Sequence, residues 1–251
     1  MNPWLAQPPS PPMTEKTQAW PKRLNAAIPV WRTMLPGVMA VLFFLVCARV
    51  LMAPYALKSV IKVILFLGIP YFCLRNEQVD IRRKLKNLFR IKKRERRLLL
   101  HILLAGAGII VTAHLLATPL ITAFGIAGIM SEIKARAHTD MRVFISALVH
   151  IPLINALVEE LFFRVFLFMH VYEQGYPRAA MVGSAILFCC YHLAMFRNWF
   201  PWPVLIMILG ALFLAGILLN YMLLRWKRIV LIWALHGLVN LAILLLAWRV
   251  F

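Results

Sequence analysis

Long runs of apolar residues, separated by short polar stretches, are the dominant pattern along this chain. A run of about 20 apolar residues is long enough to cross a bilayer as an α-helix. The pattern therefore predicts an all-α, polytopic transmembrane bundle of about seven spans, or eight if the segment 124–142 also enters the membrane. The predicted spans are approximately residues 34–52, 59–74, 98–124, 143–170, 179–196, 204–224 and 229–250.

The polar stretches divide the chain into three predicted parts. Residues 1–33 are expected to form a flexible N-terminal tail, because seven of the chain's 15 prolines lie in the first 30 positions. Residues 34–142 are expected to form the N-terminal transmembrane helices, interrupted by a basic segment at about 75–97. Residues 143–251 form the third part, whose spans carry polar residues near the middle of the membrane.

Composition excludes a soluble domain of this size. Apolar residues make up 63% of the 251 positions, against about 45–50% in a typical globular protein, and mean hydropathy is +0.80. Charged residues make up only 15% of the chain, which is too few to cover the surface of a soluble fold. The composition therefore agrees with a protein that spans the membrane several times.

The strong positive charge is concentrated beside the membrane. The formal net charge is +19, and 11 of the 28 Lys and Arg residues fall between positions 75 and 97. Within that segment Ile81, Leu85 and Leu88 recur at helical spacing, which predicts an amphipathic helix lying on the lipid headgroups. Basic segments of this kind face the cytoplasm and attract anionic lipids. No nucleic-acid partner is expected, because zinc-finger spacing and aromatic-interleaved basic grooves are both missing from the sequence.

The fourth predicted span carries three charged residues in the middle of an apolar run. Ionisable groups cost about 2.5–3.5 kcal/mol each at the centre of a membrane, so such a cluster predicts function. Glu160 and Arg164 are four residues apart with the acid first, the favourable order for an ion pair. Adjacent residues of an α-helix point about 100° apart, which puts Glu159 on a different face, with Asn155. Glu159 is therefore the predicted working carboxylate, with Glu160 and Arg164 in support.

Two later spans supply further polar groups. His192 lies near the end of the fifth span, and His236 and Asn240 share one face of the seventh. With a rise of about 1.5 Å per residue, these groups and Glu159 fall in overlapping layers of the bilayer. A network of buried polar groups that serves only helix packing is the alternative. The shared depth favours a common site instead.

Two kinds of chemistry are compatible with such a site. In the first, Glu159 and a histidine partner take a proton from water, while the second histidine and the amide of Asn240 stabilise an oxyanion. In the second, Glu159, His192 and His236 bind zinc. The chain has no HExxH motif, the pattern that places two zinc ligands one turn apart on a helix. Zinc therefore stays the alternative, and no cofactor is predicted.

Three short motifs on these spans resemble those of a known family. The family is that of the CAAX-type prenyl endopeptidases, also called the Abi or CPBP intramembrane proteases. The resemblance covers about residues 143–250, which implies that 143–251 is a CAAX protease-like catalytic membrane domain. In chain order, the motifs read Glu159-Glu160-xxx-Arg164, Phe188-xxx-His192 and His236-xxx-Asn240.

The resemblance implies a role for each motif residue. In the family, the first glutamate and the histidine of the second motif activate water. The resemblance therefore implies this role for Glu159 and His192. The histidine and asparagine of the third motif form the oxyanion hole, which assigns His236 and Asn240. The family is regarded as glutamate-dependent and free of metal, and the supporting pair of the first motif corresponds to Glu160 and Arg164.

The resemblance also implies a substrate class and leaves alternatives open. The expected reaction is hydrolysis of a peptide bond near the C-terminus of a membrane-anchored protein or peptide, prenylated or not. Similar proteins also serve bacteriocin self-immunity, so a non-catalytic immunity or scaffold protein is one alternative. A transporter that relays protons is another, although its usual internal repeats and broken helices are missing from the sequence. Short loops and basic segments favour a prokaryotic plasma membrane over the endoplasmic reticulum.

Overall fold

The computed structural model describes residues 29–50, 55–123, 141–197 and 200–248. Over these ranges the chain forms eight helices and no β-strand. In chain order they are α1 (Trp31–Val50), α2 (55–76), α3 (Ile81–Phe89), α4 (Lys93–Ala123), α5 (141–173), α6 (Pro177–Phe196), α7 (Trp202–Trp226) and α8 (Ile229–Trp248).

Each of the seven predicted spans overlaps one of these helices. Helix α1 contains an apolar stretch, Trp31–Cys47, that is shorter than a full span. Most of the predicted tail (1–33) and of the candidate eighth span (124–142) lies outside the described residues. The number of membrane crossings therefore stays a prediction. Among the described residues, four helices are long and apolar enough to cross a membrane: Leu57–Asn76, Glu95–Pro119, Trp202–Trp226 and Ile229–Leu246.

The outward faces of the long helices are apolar. On α4, Leu104 and Leu115 are 62% and 70% exposed, and on α7 Met207 and Leu214 are 75% and 67% exposed. Extended apolar surface of this kind is unfavourable in water, whereas lipid tails are as apolar as leucine. The predicted all-α membrane fold is confirmed.

The core is built around helix α5, in which every residue from 162 to 171 is buried. Phe66 of α2 stacks on Phe162 with ring centroids 4.0 Å apart. Phe163 meets Phe188 of α6 edge to face at 5.2 Å. Aromatic pairs add about 0.5–1.5 kcal/mol beyond the area that they bury. This packing fixes α5 between α2 and α6, directly beside its charged residues.

Helix α5 departs from regular α-helical geometry on both sides of Glu159. Ile151–Asn155 and Glu160–His170 are π-helical, and Pro152 in the first stretch has no N–H to donate. Helix α2 has a π-helical turn of its own at Ile64–Gly68. Such segments are rare and often lie at functional sites. Their wider turns change the directions in which the side chains of α5 point.

The basic helix α3 is present, but its apolar face does not lie on the membrane. Its N-terminus is capped by Asp80, whose side chain accepts a hydrogen bond from the backbone N–H of Arg83 at 2.9 Å. Leu88 is buried in a cluster with Leu223 of α7 and Ile229 of α8. Protein therefore covers the apolar face of α3, and the position of this helix on the lipid headgroups stays a prediction. That face packs against the protein, and the basic face is left outward.

Two basic stretches, the segment at about 75–97 and the loop between α7 and α8, lie at the same end of the bundle. Arg228, between α7 and α8, pairs with Glu95 at the start of α4, with 3.3 Å between Nη2 and Oε1. Lys84 of α3 pairs with Glu173 at the end of α5, with 2.7 Å between Nζ and Oε2. A common end is what the positive-inside tendency requires of two cytoplasmic loops.

Candidate functional site

The carboxylate of Glu159 lies in the interior of the bundle, where only 1% of the residue is exposed. Asn155 donates a hydrogen bond from Nδ2 to Oε1 at 2.6 Å, and the hydroxyl of Tyr191 donates to the same oxygen at 3.0 Å. The ammonium of Lys62 lies 3.5 Å from Oε1. These groups belong to α5, α6 and α2, so three helices fix one oxygen of the carboxylate.

The other oxygen, Oε2, faces two imidazole rings. No hydrogen bond reaches it from the described residues. Nε2 of His192 lies 4.0 Å away, and Nε2 of His236 lies 3.7 Å away. Both separations are too long for a direct hydrogen bond and are suited to a bridging water. The protein thus satisfies Oε1 and turns Oε2 toward both histidines.

The ring of His192 is oriented by its own helix. Its Nδ1 lies 2.8 Å from the carbonyl oxygen of Phe188, one turn earlier on α6. Because a carbonyl oxygen only accepts hydrogen bonds, Nδ1 carries the proton, and Nε2 has a free lone pair in the neutral ring. The nitrogen with the free lone pair is the one that faces Glu159.

The ring of His236 is oriented by the neighbouring glutamate. Its Nδ1 donates to Oε1 of Glu160 at 2.7 Å, while its Nε2 points toward Glu159. One imidazole therefore meets both glutamates, a contact that the 100° separation of an ideal α-helix does not predict. The two ring nitrogens make this possible, because Nδ1 meets Glu160 and Nε2 faces Glu159.

Arg164 is fully buried beneath the two glutamates. Its Nε lies 3.4 Å from Oε2 of Glu160, so the two residues predicted to pair are adjacent. The guanidinium also lies over the ring of Phe188, 4.2 Å from the centroid. Since none of its nitrogens has a hydrogen-bond partner among the described residues, Glu160 and the ring of Phe188 are its main electrostatic partners.

Close contact between α5 and α8 places His236. The indole N–H of Trp233 donates to the carbonyl oxygen of Leu153 at 2.9 Å. Gly237 lies against Pro152, so closely that a Cβ on the glycine would stand 2.6 Å from the Pro152 carbonyl oxygen. Both contacts fall on the first π-helical stretch of α5. Asn240 is half-buried one turn beyond His236.

Two residues of the site are missing from the sequence-based prediction. Tyr191 directly precedes His192 within an apolar run, where the sequence pattern gives no reason to assign it a role. Lys62 lies in the second predicted span, where a lysine is itself a signal of function. Three of the four predicted catalytic residues lie together where α5, α6 and α8 meet, with Nε2 of His192 4.0 Å and Nε2 of His236 3.7 Å from Oε2 of Glu159. The fourth, Asn240, lies one turn beyond His236 on α8.

The segment that carries these motifs matches a family of known proteins. Residues 141–242, less than half of the chain, match the family model described as Type II CAAX prenyl endopeptidase Rce1-like. This segment is similar to the CAAX prenyl endopeptidases. The resemblance predicted from the three motifs is confirmed. The match indicates a membrane-embedded protease, whose substrate would be associated with the membrane. Searches of the curated proteins and of the solved structures gave no match.

Zinc is the alternative chemistry for this segment, with Glu159, His192 and His236 as ligands. Within the described part of the chain, no group of three His, Cys, Asp or Glu side chains has the arrangement of a formed metal site. The ammonium of Lys62, 3.5 Å from Oε1 of Glu159, also repels a second cation beside the same carboxylate. Lys62 therefore disfavours a metal ion at Glu159, and zinc stays the alternative.

Replacing Glu160 by glutamine is expected to destabilise the helical bundle. The change removes the charge that faces buried Arg164, and breaking a buried ion pair costs about 3–5 kcal/mol. The measurement is the thermal unfolding temperature of the purified protein. A double variant, Glu160→Gln with Arg164→Met, removes both charges and is expected to recover much of the loss. An unfolding temperature equal to that of wild type for Glu160→Gln alone would contradict the expectation.

Replacing Gly237 by alanine is expected to separate α8 from α5. The new Cβ would overlap the backbone carbonyl of Pro152, and overpacking of this kind costs about 1–3 kcal/mol. Because the same contact places His236 beside Glu160, the rate of cleavage should fall as well. Gly210→Ala on α7 is the matched control, since its Cβ meets open space. Equal behaviour of the two variants would rule out the close approach as a constraint.

Proposed function

We propose that this protein is an intramembrane endopeptidase whose nucleophile is a water molecule activated by Glu159 and His192. The observation that carries the proposal is the asymmetry of the Glu159 carboxylate. Oε1 is bound by protein donors, whereas Oε2 faces the lone pair of His192 Nε2 across 4.0 Å. A water molecule between these two acceptors donates one hydrogen to each and directs its oxygen toward a substrate carbonyl.

The chemical step needs the proton of that water to move. As the water oxygen bonds to the carbonyl carbon, Oε2 of Glu159 accepts the proton and the carbonyl oxygen becomes an oxyanion. The proton then passes to the nitrogen of the leaving amine as the C–N bond breaks, which regenerates the carboxylate. His192 orients the water through Nε2, because its own Nδ1 proton is held by the carbonyl of Phe188.

His236 and Asn240 are proposed to bind the oxyanion. They lie one turn apart on α8, so both side chains can donate to one oxygen atom. Glu160 accepts a hydrogen bond from Nδ1 of His236 at 2.7 Å, so Nε2 can donate to the oxyanion only while the ring carries both protons. Donors that meet charge as it develops contribute about 10²–10³ each in rate. The proposed mechanism depends on Glu159 and assigns no step to a metal ion.

The position of the site defines the substrate that we propose. Glu159 lies midway along α5, so the scissile bond has to enter the membrane-embedded bundle. The family match favours a bond near the C-terminus of a membrane-anchored protein or peptide, prenylated or not. We assign catalysis to residues 143–251, and the short loops and basic segments favour a prokaryotic plasma membrane.

The proposal is tested in cells that produce the wild-type protein or the Glu159→Gln variant at matched levels. The C-termini of all proteins and peptides in the membranes of the two cell lines are compared. We expect a set of protein or peptide termini that is present only with wild type, which would identify the substrate and the cleaved bond together. A metal chelator should leave that set of termini unchanged. If the termini disappeared with the chelator and returned when zinc was added, the metal alternative would be favoured. Identical sets with wild type and variant would favour the immunity or scaffold alternative.

A further inference from the structure

Lys62 is a charged residue inside the bundle that none of the three motifs includes. It lies on α2, outside the family match of 141–242, and only 4% of it is exposed. Its Nζ lies 3.5 Å from Oε1 of Glu159 and 5.9 Å from the ring centroid of Tyr191. A membrane lysine usually extends its ammonium to the interface. One that turns inward needs a counter-charge.

With both histidine rings neutral, the charges in the site balance only when Lys62 is included. Among the described residues, the buried cations are Lys62, Arg164 and Arg228. Arg164 is paired with Glu160, and Arg228 is paired at the end of the bundle. Glu159 would otherwise be an uncompensated buried charge, which is strongly unfavourable in a low-dielectric interior. Lys62 is the cation that compensates it.

The contact of Lys62 is with the oxygen that does not react. Oε1 already accepts hydrogen bonds from Asn155 and Tyr191, and the ammonium adds the only positive charge that meets this oxygen among the described side chains. A carboxylate held in this way cannot exchange its two oxygens by rotation, so Oε2 stays directed at the histidines.

We propose that Lys62 is a positioning residue of the catalytic site. Its ammonium supplies the counter-charge of Glu159 and fixes Oε1, so that Oε2 is the oxygen that meets the water. Helix α2 is then part of the working site although the recognisable motifs lie on α5, α6 and α8. The kinetic consequence rests on the function proposed above, whereas the pairing of Lys62 with Glu159 does not.

The kinetic test uses Lys62→Met, which keeps much of the side-chain length and removes the charge. Because Lys62 acts through Glu159 and does not touch the substrate, kcat should fall by about 10²-fold, as for a misplaced catalytic group, with little change in KM. Lys62→Arg keeps the cation and should recover most of kcat. The assay is turnover of a prenylated CAAX peptide by the full-length protein in liposomes.

The pairing is tested separately by a double-mutant cycle on thermal unfolding, which needs no substrate. Lys62→Met should lower Tm by about 5–10 °C when Glu159 is present. The loss should be much smaller in the Glu159→Gln background, because no carboxylate is then left unpaired. Lys58→Met is the matched control, a half-buried lysine one turn earlier on α2, and should leave both Tm and kcat near those of wild type.

Each outcome distinguishes one part of the proposal. An equal loss of Tm in both backgrounds would show that Lys62 acts through packing, and would overturn the pairing. An unchanged kcat for Lys62→Met, in an assay in which Glu159→Gln is inactive, would overturn the positioning role. If wild type shows no cleavage that depends on Glu159, the proposed function fails instead, and the Tm cycle still decides whether Lys62 pairs with Glu159.

Discussion

Glu159→Gln is expected to abolish peptide-bond cleavage and to leave a folded protein in the membrane. Glutamine has the same shape, and its carbonyl oxygen can still accept from Asn155 and Tyr191, as Oε1 does now. The amide nitrogen that replaces Oε2 cannot accept a proton from water. The rate should fall by at least the roughly 10²–10⁴ that a general base contributes. Some thermal stability is also lost, because Lys62 no longer has its counter-charge.

The measurement is turnover by protein reconstituted in liposomes, together with thermal unfolding to show that the variant is folded. Glu173→Gln is a matched control, since it makes the same chemical change at the end of the same helix, where the carboxylate pairs with Lys84 at 2.7 Å. We expect that control to cleave at the wild-type rate. Cleavage by Glu159→Gln at the rate of the control would remove Glu159 from the mechanism.

Asn240→Ala is expected to lower kcat by about 10²–10³, the usual effect of removing one donor from an oxyanion hole. The contacts that hold α8 against α5 are made by Trp233 and Gly237. Asn240 is half-buried and lies beyond them. The variant should therefore unfold at nearly the wild-type temperature. A large kinetic effect with a small structural effect is the signature of a group that acts on the transition state.

This variant also distinguishes an enzyme from a scaffold of the same family. A scaffold that keeps its polar residues for packing would lose stability or partner binding, and no rate would depend on the amide. Val239→Ala, at an exposed neighbouring position on α8, controls for truncation of the helix surface. If Asn240→Ala and Val239→Ala cleave equally well, Asn240 is not an oxyanion donor.

The helices of this protein could be predicted from sequence because lipid imposes a strong pattern. Backbone groups inside a bilayer have to be satisfied within the helix, so each span is a long apolar run with clear ends. Helix α3 shows the limit of such patterns. The spacing of Ile81, Leu85 and Leu88 indicates an apolar face, but it does not say whether lipid or protein covers that face. Contact with Leu223 and Ile229 depends on how α7 and α8 pack.

The site could be predicted where it depends on one helix. Four-residue spacing correctly places Asn155 beside Glu159 and Glu160 beside Arg164. Spacing along one helix does not predict which side chains of different helices come into contact. The hydrogen bond from His236 to Glu160 depends on how α8 packs against α5, which periodicity along one helix does not indicate.

Helices α1 and α2 are packed into the segment that the family match defines. Phe66 of α2 stacks on Phe162, and Gly37 of α1 lies so close to Leu167 that a Cβ would overlap its side chain. A fragment cut at residue 141 would therefore lose part of its core and the ammonium of Lys62 together. Recombination that exchanges the motif-bearing half between relatives has to bring a compatible pair of N-terminal helices. The two halves are thus constrained to diverge together in evolution.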